Sequence, residues 1–208
     1  MKNNNFAEIV FGRRSIRFFD GTVKISRQEM LEMIDKAVTA PSSVNMQPWR
    51  FIVVDSAEGK EKLSPLVRSN QLQNKTSAAM VVVFGDLACY EYGEKIYNKA
   101  VAQGKMSADV RDKQLASILP FYQNMGKEEM TSIVKIDASL AAMQFMLVAR
   151  SYGYDTNAIG GFKADQLAEV FELDEQRYVP VMIIAVGKAK EVGYDSVRLD
   201  AHQITDFK

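Results

Sequence analysis

Two residue types are almost absent from this chain of 208 residues. There is one cysteine, Cys89, and one histidine, His202. A lone cysteine cannot close an internal disulfide, and a lone histidine cannot build a His-rich metal site. Zinc, iron–sulfur and Cys/His-nucleophile chemistry are therefore not expected. An excess of either charge is also absent. The 26 Lys and Arg stand against 26 Asp and Glu, a net charge of zero. A nucleic-acid binder displaces counterions with a basic excess, so that partner is not expected. Residues 1–10 hold one Lys and no apolar core long enough for a signal peptide. The longest apolar stretch, residues 133–149, is broken by Lys135, Asp137, Ser139 and Gln144. It falls short of the ~20 apolar residues a membrane span needs. No membrane partner is expected, and the cytoplasm is the expected compartment.

The residues that are present describe an ordinary globular chain. Apolar residues are 47 % and charged residues 25 %, which argues against disorder. A chain this long buries about 70 % of its unfolded surface and needs no metal or disulfide staple. The five prolines are scattered, and no repeat or low-complexity linker divides the chain. One domain over residues 1–208 is the economical reading.

Periodicity then places the elements. Residues 6–11 read as a short helix with Phe6, Ile9 and Val10 on one face. Ser26 to Glu29 has the pattern of a capping box, followed by Met30, Ile34 and Val38 at helical spacing. That helix is expected to end near Ala40, before Pro41. Residues 50–55, 79–85 and 179–187 are strand candidates, with a weaker one at 155–159. Residues 90–103 and 108–125 read as an inserted pair of helices, spanning about 90–128. Residues 131–151 are apolar nearly all round, so a helix there needs burial on most sides, including a dimer partner on its second side. Residues 164–171 are a short helix. Residues 188–208 lack periodicity and read as an arm. Long connections and helices in excess of strands give an α+β chain, with helices packed around one small sheet.

Three clusters carry the candidate chemistry. Arg13, Arg14, Ser15 and Arg17 follow the first helix. Guanidinium forks suit phosphate oxygens, although a solvated basic surface or a nucleic-acid contact uses the same residues. Pro41, Ser42, Ser43, Asn45 and Gln47 form a loop between two prolines that runs into a strand. Its amides can both donate and accept, as the edge of a heterocycle requires. A plain turn has the same composition. Trp49, the only tryptophan, reads as a core anchor. Ile159, Gly160 and Gly161 end a strand where backbone could approach a ligand closely, or simply turn. No G-x-G-x-x-G follows a strand and no P-loop is present, so a Rossmann dinucleotide site is not expected.

Taken in this order, the R-R-S-x-R opening and the P-S-S-x-N-x-Q-P-W loop resemble the nitroreductase family of FMN-dependent NAD(P)H oxidoreductases. The V-V-V-F strand, the G-G-F turn after a long helix and a late Arg extend the resemblance from about residue 6 to 207. It implies a small, mostly antiparallel central sheet flanked by helices, and a C-terminal arm that reaches the partner of a homodimer. It implies FMN at the dimer interface, with NAD(P)H as a transient hydride donor. A small aromatic acceptor, a nitro compound or a quinone, would then be reduced in a ping-pong cycle. Carried across, Arg13, Arg14, Ser15 and Arg17 contact the phosphate, ribityl chain and pyrimidine edge. Pro41, Ser42, Ser43 and Asn45 come from the partner chain and line the ring. Gln71 reads the pyrimidine edge, and Asn74 stands where many members have Lys. Ile159, Gly160 and Gly161 bring backbone amides to the reactive side of the ring, with Gly160 where several members have Glu. Arg198 is the last phosphate contact, and Ser196 stands where Lys is frequent. Phe121 and Tyr122 cover the substrate pocket. No residue is assigned as a general acid, and the chemistry is on the FMN. The alternatives are an enone or free-flavin reductase of the same family, or a flavin-binding sensor or partner-binding protein with little turnover.

Overall fold

The computed structural model describes residues 2–208. Its architecture is α+β. Four strands, β1 (Trp49–Val54), β2 (Ala79–Asp86), β3 (Asp155–Ile159) and β4 (Tyr178–Gly187), form one sheet. Their order is β1-β2-β4-β3, and every neighbouring pair is antiparallel. Eight α-helices are assigned among the described residues: α1 (Phe6–Gly12), α2 (Arg27–Ala37), α3 (Ala57–Leu63), α4 (Gln71–Thr76), α5 (Gly93–Ala102), α6 (Ala108–Gln123), α7 (Lys127–Ser151) and α8 (Ala164–Val170).

β2 is buried at every residue, and the period of two explains its unbroken apolar run. Val81 and Val83 face α2 and α7, in a core with Met30, Met33, Ala141, Phe145 and Ile184. Met80, Val82 and Phe84 face the other way, in a core with Leu63, Leu66, Leu167 and Phe19. Helices on both faces remove the need for a polar side. The β2–β4 register shifts between Val83 and Phe84, because Val83 opposes Met182 and Phe84 opposes Pro180. Pro180 has no N–H for the ladder, and a bulge accommodates it.

The helix starts follow their caps. Ser26 Oγ accepts the Glu29 N–H at 3.1 Å. The reciprocal half of the expected capping box is not made, since the Glu29 carboxylate accepts the Tyr154 hydroxyl at 2.6 Å. A tertiary hydrogen bond has displaced the local one, tying α2 to the chain after α7. The helix also ends at Ala37, sooner than Ala40, in a turn closed by the Ala40 N–H on the Ala37 carbonyl at 3.1 Å. α3 and α4 lie in a stretch that periodicity left unassigned. Both are short and mostly polar, and α3 is held by a Ser56 cap at 3.0 Å.

α7 starts a turn earlier than residue 131. By length and composition it does qualify as a membrane span, contrary to the count of interruptions. Its place across the sheet accounts for that apolar content. Val134, Ala138, Ala141, Ala142, Phe145 and Ala149 are fully buried, whereas Ile136, Leu140 and Met143 form an exposed apolar row. The expected all-round burial is thus met on one side only within a single chain. The C-terminal residues leave β4, pair with the chain at Phe18 and Phe19, and then run exposed.

α7 comes so close to β2 that a Cβ on Gly85 would lie 2.5 Å from Val134 Cγ2 and 2.9 Å from its Cβ. Overpacking of this kind costs about 1–3 kcal/mol. Gly85→Ala is expected to lower the unfolding free energy by that amount, seen as a lower denaturant midpoint with an unchanged m-value. An unaltered midpoint would contradict the helix–sheet approach.

Candidate functional site

The arginine segment is placed by the free edge of β3. The Ile16 N–H donates to the Thr156 carbonyl at 3.1 Å, and Ser15 bridges Thr156 in parallel. Ile16 and Phe19 are buried, which fixes the segment and leaves the arginines facing outward. Arg14 pairs with Asp195 of the arm at 2.9 Å and also donates to the Phe11 carbonyl at 2.7 Å. The Arg17 guanidinium lies 5.7 Å from the centre of the Tyr194 ring. Arg150 pairs with Asp155 at 2.6 Å. Arg13, Arg17 and Arg198 have no ion pair among the described residues. Burial lowers the pKa of Arg13, and the nearby Arg198, Arg14 and Arg150 guanidiniums lower it further. The fold has therefore gathered like charges around a half-buried cation. An anion with several oxygens would relieve that repulsion.

A cleft of about 520 Å³ adjoins this segment, lined by Ser15, Arg17, Asn70, Gln73, Asn157, Gly160 and Gly161 among others. At Gly160 nothing stands within 4 Å of where a Cβ would be, and at Gly161 only Asn70 Nδ2 does, at 3.8 Å. The turn after β3 thus presents bare backbone to open space. Asn70 Nδ2 donates to the Gly161 carbonyl at 3.5 Å and to the Val67 carbonyl at 3.1 Å. Gln73 Nε2 donates to Asn70 Oδ1 at 3.1 Å.

The amides expected from the sequence are displaced by one residue from those facing the cleft. Gln71 Nε2 is bound to the Ser64 and Arg68 carbonyls at 2.7 and 3.1 Å. Asn74 Nδ2 donates to the Lys60 carbonyl at 2.8 Å, and its buried Oδ1 has no partner among the described residues. Both point toward α3. Asn70 and Gln73 are three apart at the start of α4, so they share a helix face. Recognising α4 would have found them.

The loop at residues 41–47 is strained and held from below. Val44, Asn45 and Gln47 have φ of 42°, 57° and 50°, in the left-handed region that side chains disfavour. Asp137, buried on α7, accepts the Ser43 N–H at 2.9 Å and the Ser43 hydroxyl at 3.2 Å. Burial raises its carboxyl pKa, and the two Ser43 hydrogen bonds oppose the rise. Ser42 Oγ accepts the Gln47 N–H at 3.1 Å, and Tyr97 donates to the Val44 carbonyl at 3.0 Å. Asn45 stays exposed, accepting from Gln47 Nε2 at 3.2 Å. Asp137 entered the sequence reading only as a break in an apolar run; burial gives it this role. Trp49 is buried in the core as expected. Phe121 and Tyr122 part company. Phe121 is exposed, while Tyr122 is buried with Met46, Tyr97 and Val134, and burial pushes its hydroxyl up to about 12. Burial likewise pushes the Cys89 thiol up to about 12, so it is not a thiolate nucleophile. His202 lies in an exposed turn of the arm.

One chain does not bring the two halves together. The loop enters β1 at Trp49, opposite Gly85. Gly160 leaves β3 after Ile159, opposite Ile183, whose other neighbour is Val82. β1 and β3 are the outer strands, about 14 Å apart at three strand spacings, and the two points also differ in level along the sheet.

Comparisons with known proteins extend this picture. The family described as the Nitroreductase family matches residues 10–188. The chain is 50 % identical over 208 residues to "Putative NAD(P)H nitroreductase YdgI" of Bacillus subtilis (strain 168), covering 100 % of both chains. It is 39 % identical over 206 residues to the "CLA biosynthesis enone reductase" of Lactiplantibacillus plantarum, covering 99 % of this chain and 95 % of that one. A crystal structure from Exiguobacterium sibiricum 255-15, in complex with FMN, matches with a TM-score of 0.97 at 50 % identity. It covers 100 % of this chain and 99 % of that chain.

The hold of Asp137 on the loop makes a prediction about pH. A carboxyl whose pKa is raised by folding binds its proton more readily in the folded state. Its contribution to stability therefore falls as pH rises, from the ordinary carboxylate range through the raised value. Urea unfolding of the wild type and of Asp137→Asn, from about pH 4 upward, is expected to show that loss only in the wild type. Parallel curves at every pH would refute it.

Proposed function

The chain belongs to the nitroreductase family and is an FMN-dependent NAD(P)H oxidoreductase, and from that premise we propose how its residues hold the flavin and what it reduces. The observation that supports this reading is the uncompensated Arg13 among other guanidiniums, on a segment whose Ser15 and Arg17 line a cleft with the bare turn at Gly160 and Gly161. A phosphate carries about −1.5 to −2 charges and three acceptor oxygens, which Arg13, Arg17 and Arg198 are free to meet. Arg14 and Ser15 border the same segment, with Arg14 also anchoring the arm through Asp195. Gly160 and Gly161 leave room for a flat ring against the backbone after Ile159. Asn70 and Gln73 take the part expected of Gln71 and Asn74, because their amides line that cleft. When bound, FMN supplies the redox chemistry, accepting a hydride from the nicotinamide and returning it to the acceptor. The protein binds, orients and shields, and no side chain is needed as an acid.

The working unit in this reading is a homodimer. Pro41, Ser42, Ser43 and Asn45 lie at the far edge of the sheet from Arg13, so they complete a partner's site rather than their own. The exposed row Ile136, Leu140 and Met143, and the exposed Val192, Val197, Ile204 and Phe207 of the arm, are apolar surface for that contact. The acceptor is a nitroaromatic or a quinone, with exposed Phe121 as the aromatic over its pocket. A second acceptor, an enone, is favoured by the 39 % identity to an enone reductase over nearly the whole chain.

Arg13→Ala and Arg198→Ala are each expected to weaken FMN by about 1.5–3 kcal/mol, or about 10- to 150-fold in Kd. Flavin fluorescence titration measures this, and unchanged affinity in both variants rejects the phosphate assignment. Sedimentation of the wild type is expected to show a dimer; a stable folded monomer with full activity rejects the shared site. Rates with nitroaromatics, quinones and enones under anaerobic conditions then rank the acceptors.

A further inference from the structure

A second cleft lies on the loop side of the molecule, between α5, the end of α2 and residues 45–50. Its volume is about 600 Å³, within the range of small-molecule sites. Lys95 and Lys99 line it one turn apart on α5, and Lys105 joins them after the Gly104 turn. None of the three has an ion pair among the described residues, and no carboxylate lines the cleft. Arg50, also in the wall, is already committed to buried Asp86 at 3.0 Å. Its guanidinium lies 4.4 Å from the centre of the Tyr92 ring, which remains partly exposed at 37 %. The cleft thus combines three free ammonium groups with an aromatic face backed by a fixed cation. At its rim stand Asn45 and Gln47, from the loop assigned above to the flavin ring.

We propose that this cleft binds the 2′-phosphorylated adenosine of NADPH, with its lysines on the 2′-phosphate, and makes the enzyme select NADPH over NADH. The inference rests on the reading that the loop at residues 41–45 lines the flavin. A donor with its nicotinamide on that ring must carry its adenosine and phosphates away along the neighbouring surface. The free cations bordering the loop are those of this cleft. Lysines act as mobile point charges, suited to phosphates that need no bidentate fork. The Tyr92 face offers a purine a stacking surface. NADPH differs from NADH by a 2′-phosphate, which is the group that three lysines without a carboxylate discriminate best. In a chain of zero net charge such a cluster is a local feature, not a consequence of composition.

The test is made on the FMN-loaded protein. The probe is adenosine 2′,5′-bisphosphate, with adenosine 5′-monophosphate as control, titrated by calorimetry. The bisphosphate is expected to bind more tightly than the monophosphate and to weaken as salt is raised. In the double variant K95A/K99A its affinity is expected to fall about tenfold or more, and the KM for NADPH to rise in proportion. The kcat and the KM for NADH are expected to stay within about twofold, while K95R/K99R retains the preference. Both lysines are exposed on α5, so the fold tolerates the change. The proposal is overturned if the wild type binds both nucleotides equally, or if the variant binds the bisphosphate unchanged. A flavin-loaded enzyme that prefers NADH overturns it too, while leaving the family chemistry standing. A protein that neither carries nor takes up FMN overturns the underlying reading, and this cleft assignment with it.

Discussion

The packing of α7 across the sheet is the constraint on which the rest of the structure depends. Four buried alanines, Ala138, Ala141, Ala142 and Ala149, let the helix lie close to the strands, and Gly85 makes room for Val134. Once seated, the helix reaches both the strained loop and the arginine segment. Asp137 in its first half holds the strained loop through Ser43, and Arg150 near its end joins the guanidinium cluster around Arg13. Those residues are 13 positions apart, or about 20 Å along the axis. The two half-sites are separated by the helix that organises them. Its outward row of Ile136, Leu140 and Met143 stays exposed in the single chain.

Charge is used in two contrasting ways in a chain whose net charge is zero. Asp86 is fully buried, yet Arg177 reaches it at 2.7 and 3.0 Å and Arg50 at 3.0 Å. That carboxylate is compensated, and it joins β2 both to β1 through Arg50 and to the chain before β4 through Arg177. Around Arg13 the balance is deliberately incomplete, since the nearby carboxylates of Asp155 and Asp195 are already taken. Buried or clustered charge without a partner is unstable unless a ligand provides one. The difference between these two clusters separates arginines committed to a buried carboxylate from arginines left without a partner among the described residues, although as residue types they are identical.

Much of the fold was legible before any coordinates. β2 and β4 followed from apolar runs, and β3 was placed at its observed bounds. The long helix was seen from its composition. α3 and α4 were not, because short polar helices show no amphipathic period and are held by caps and tertiary contacts. That omission bears on the cleft, which Asn70 and Gln73 line, whereas Gln71 and Asn74 bond to carbonyls of Ser64, Arg68 and Lys60. One residue along a helix turns a side chain by about 100°. The Phe121–Tyr122 pair illustrates the same limit. Adjacent helical residues point in different directions, so one is buried and the other is exposed.

By itself, the sequence determined what is local: which stretches become strands or helices, where Ser26 caps α2, and which residue types are offered to a phosphate. It also carried the family, through two motifs whose spacing survives without coordinates. Only the tertiary structure decided which partner each polar group takes. Glu29 left its capping box for Tyr154, Arg14 went to Asp195 while Arg13 stayed free, and Asp137 found Ser43. It alone placed the two motifs at opposite edges of the sheet. The physical reason is that hydrogen bonds and ion pairs are settled by competition among groups brought together in space. Spacing along the chain limits that competition only within a helical turn or a strand pair.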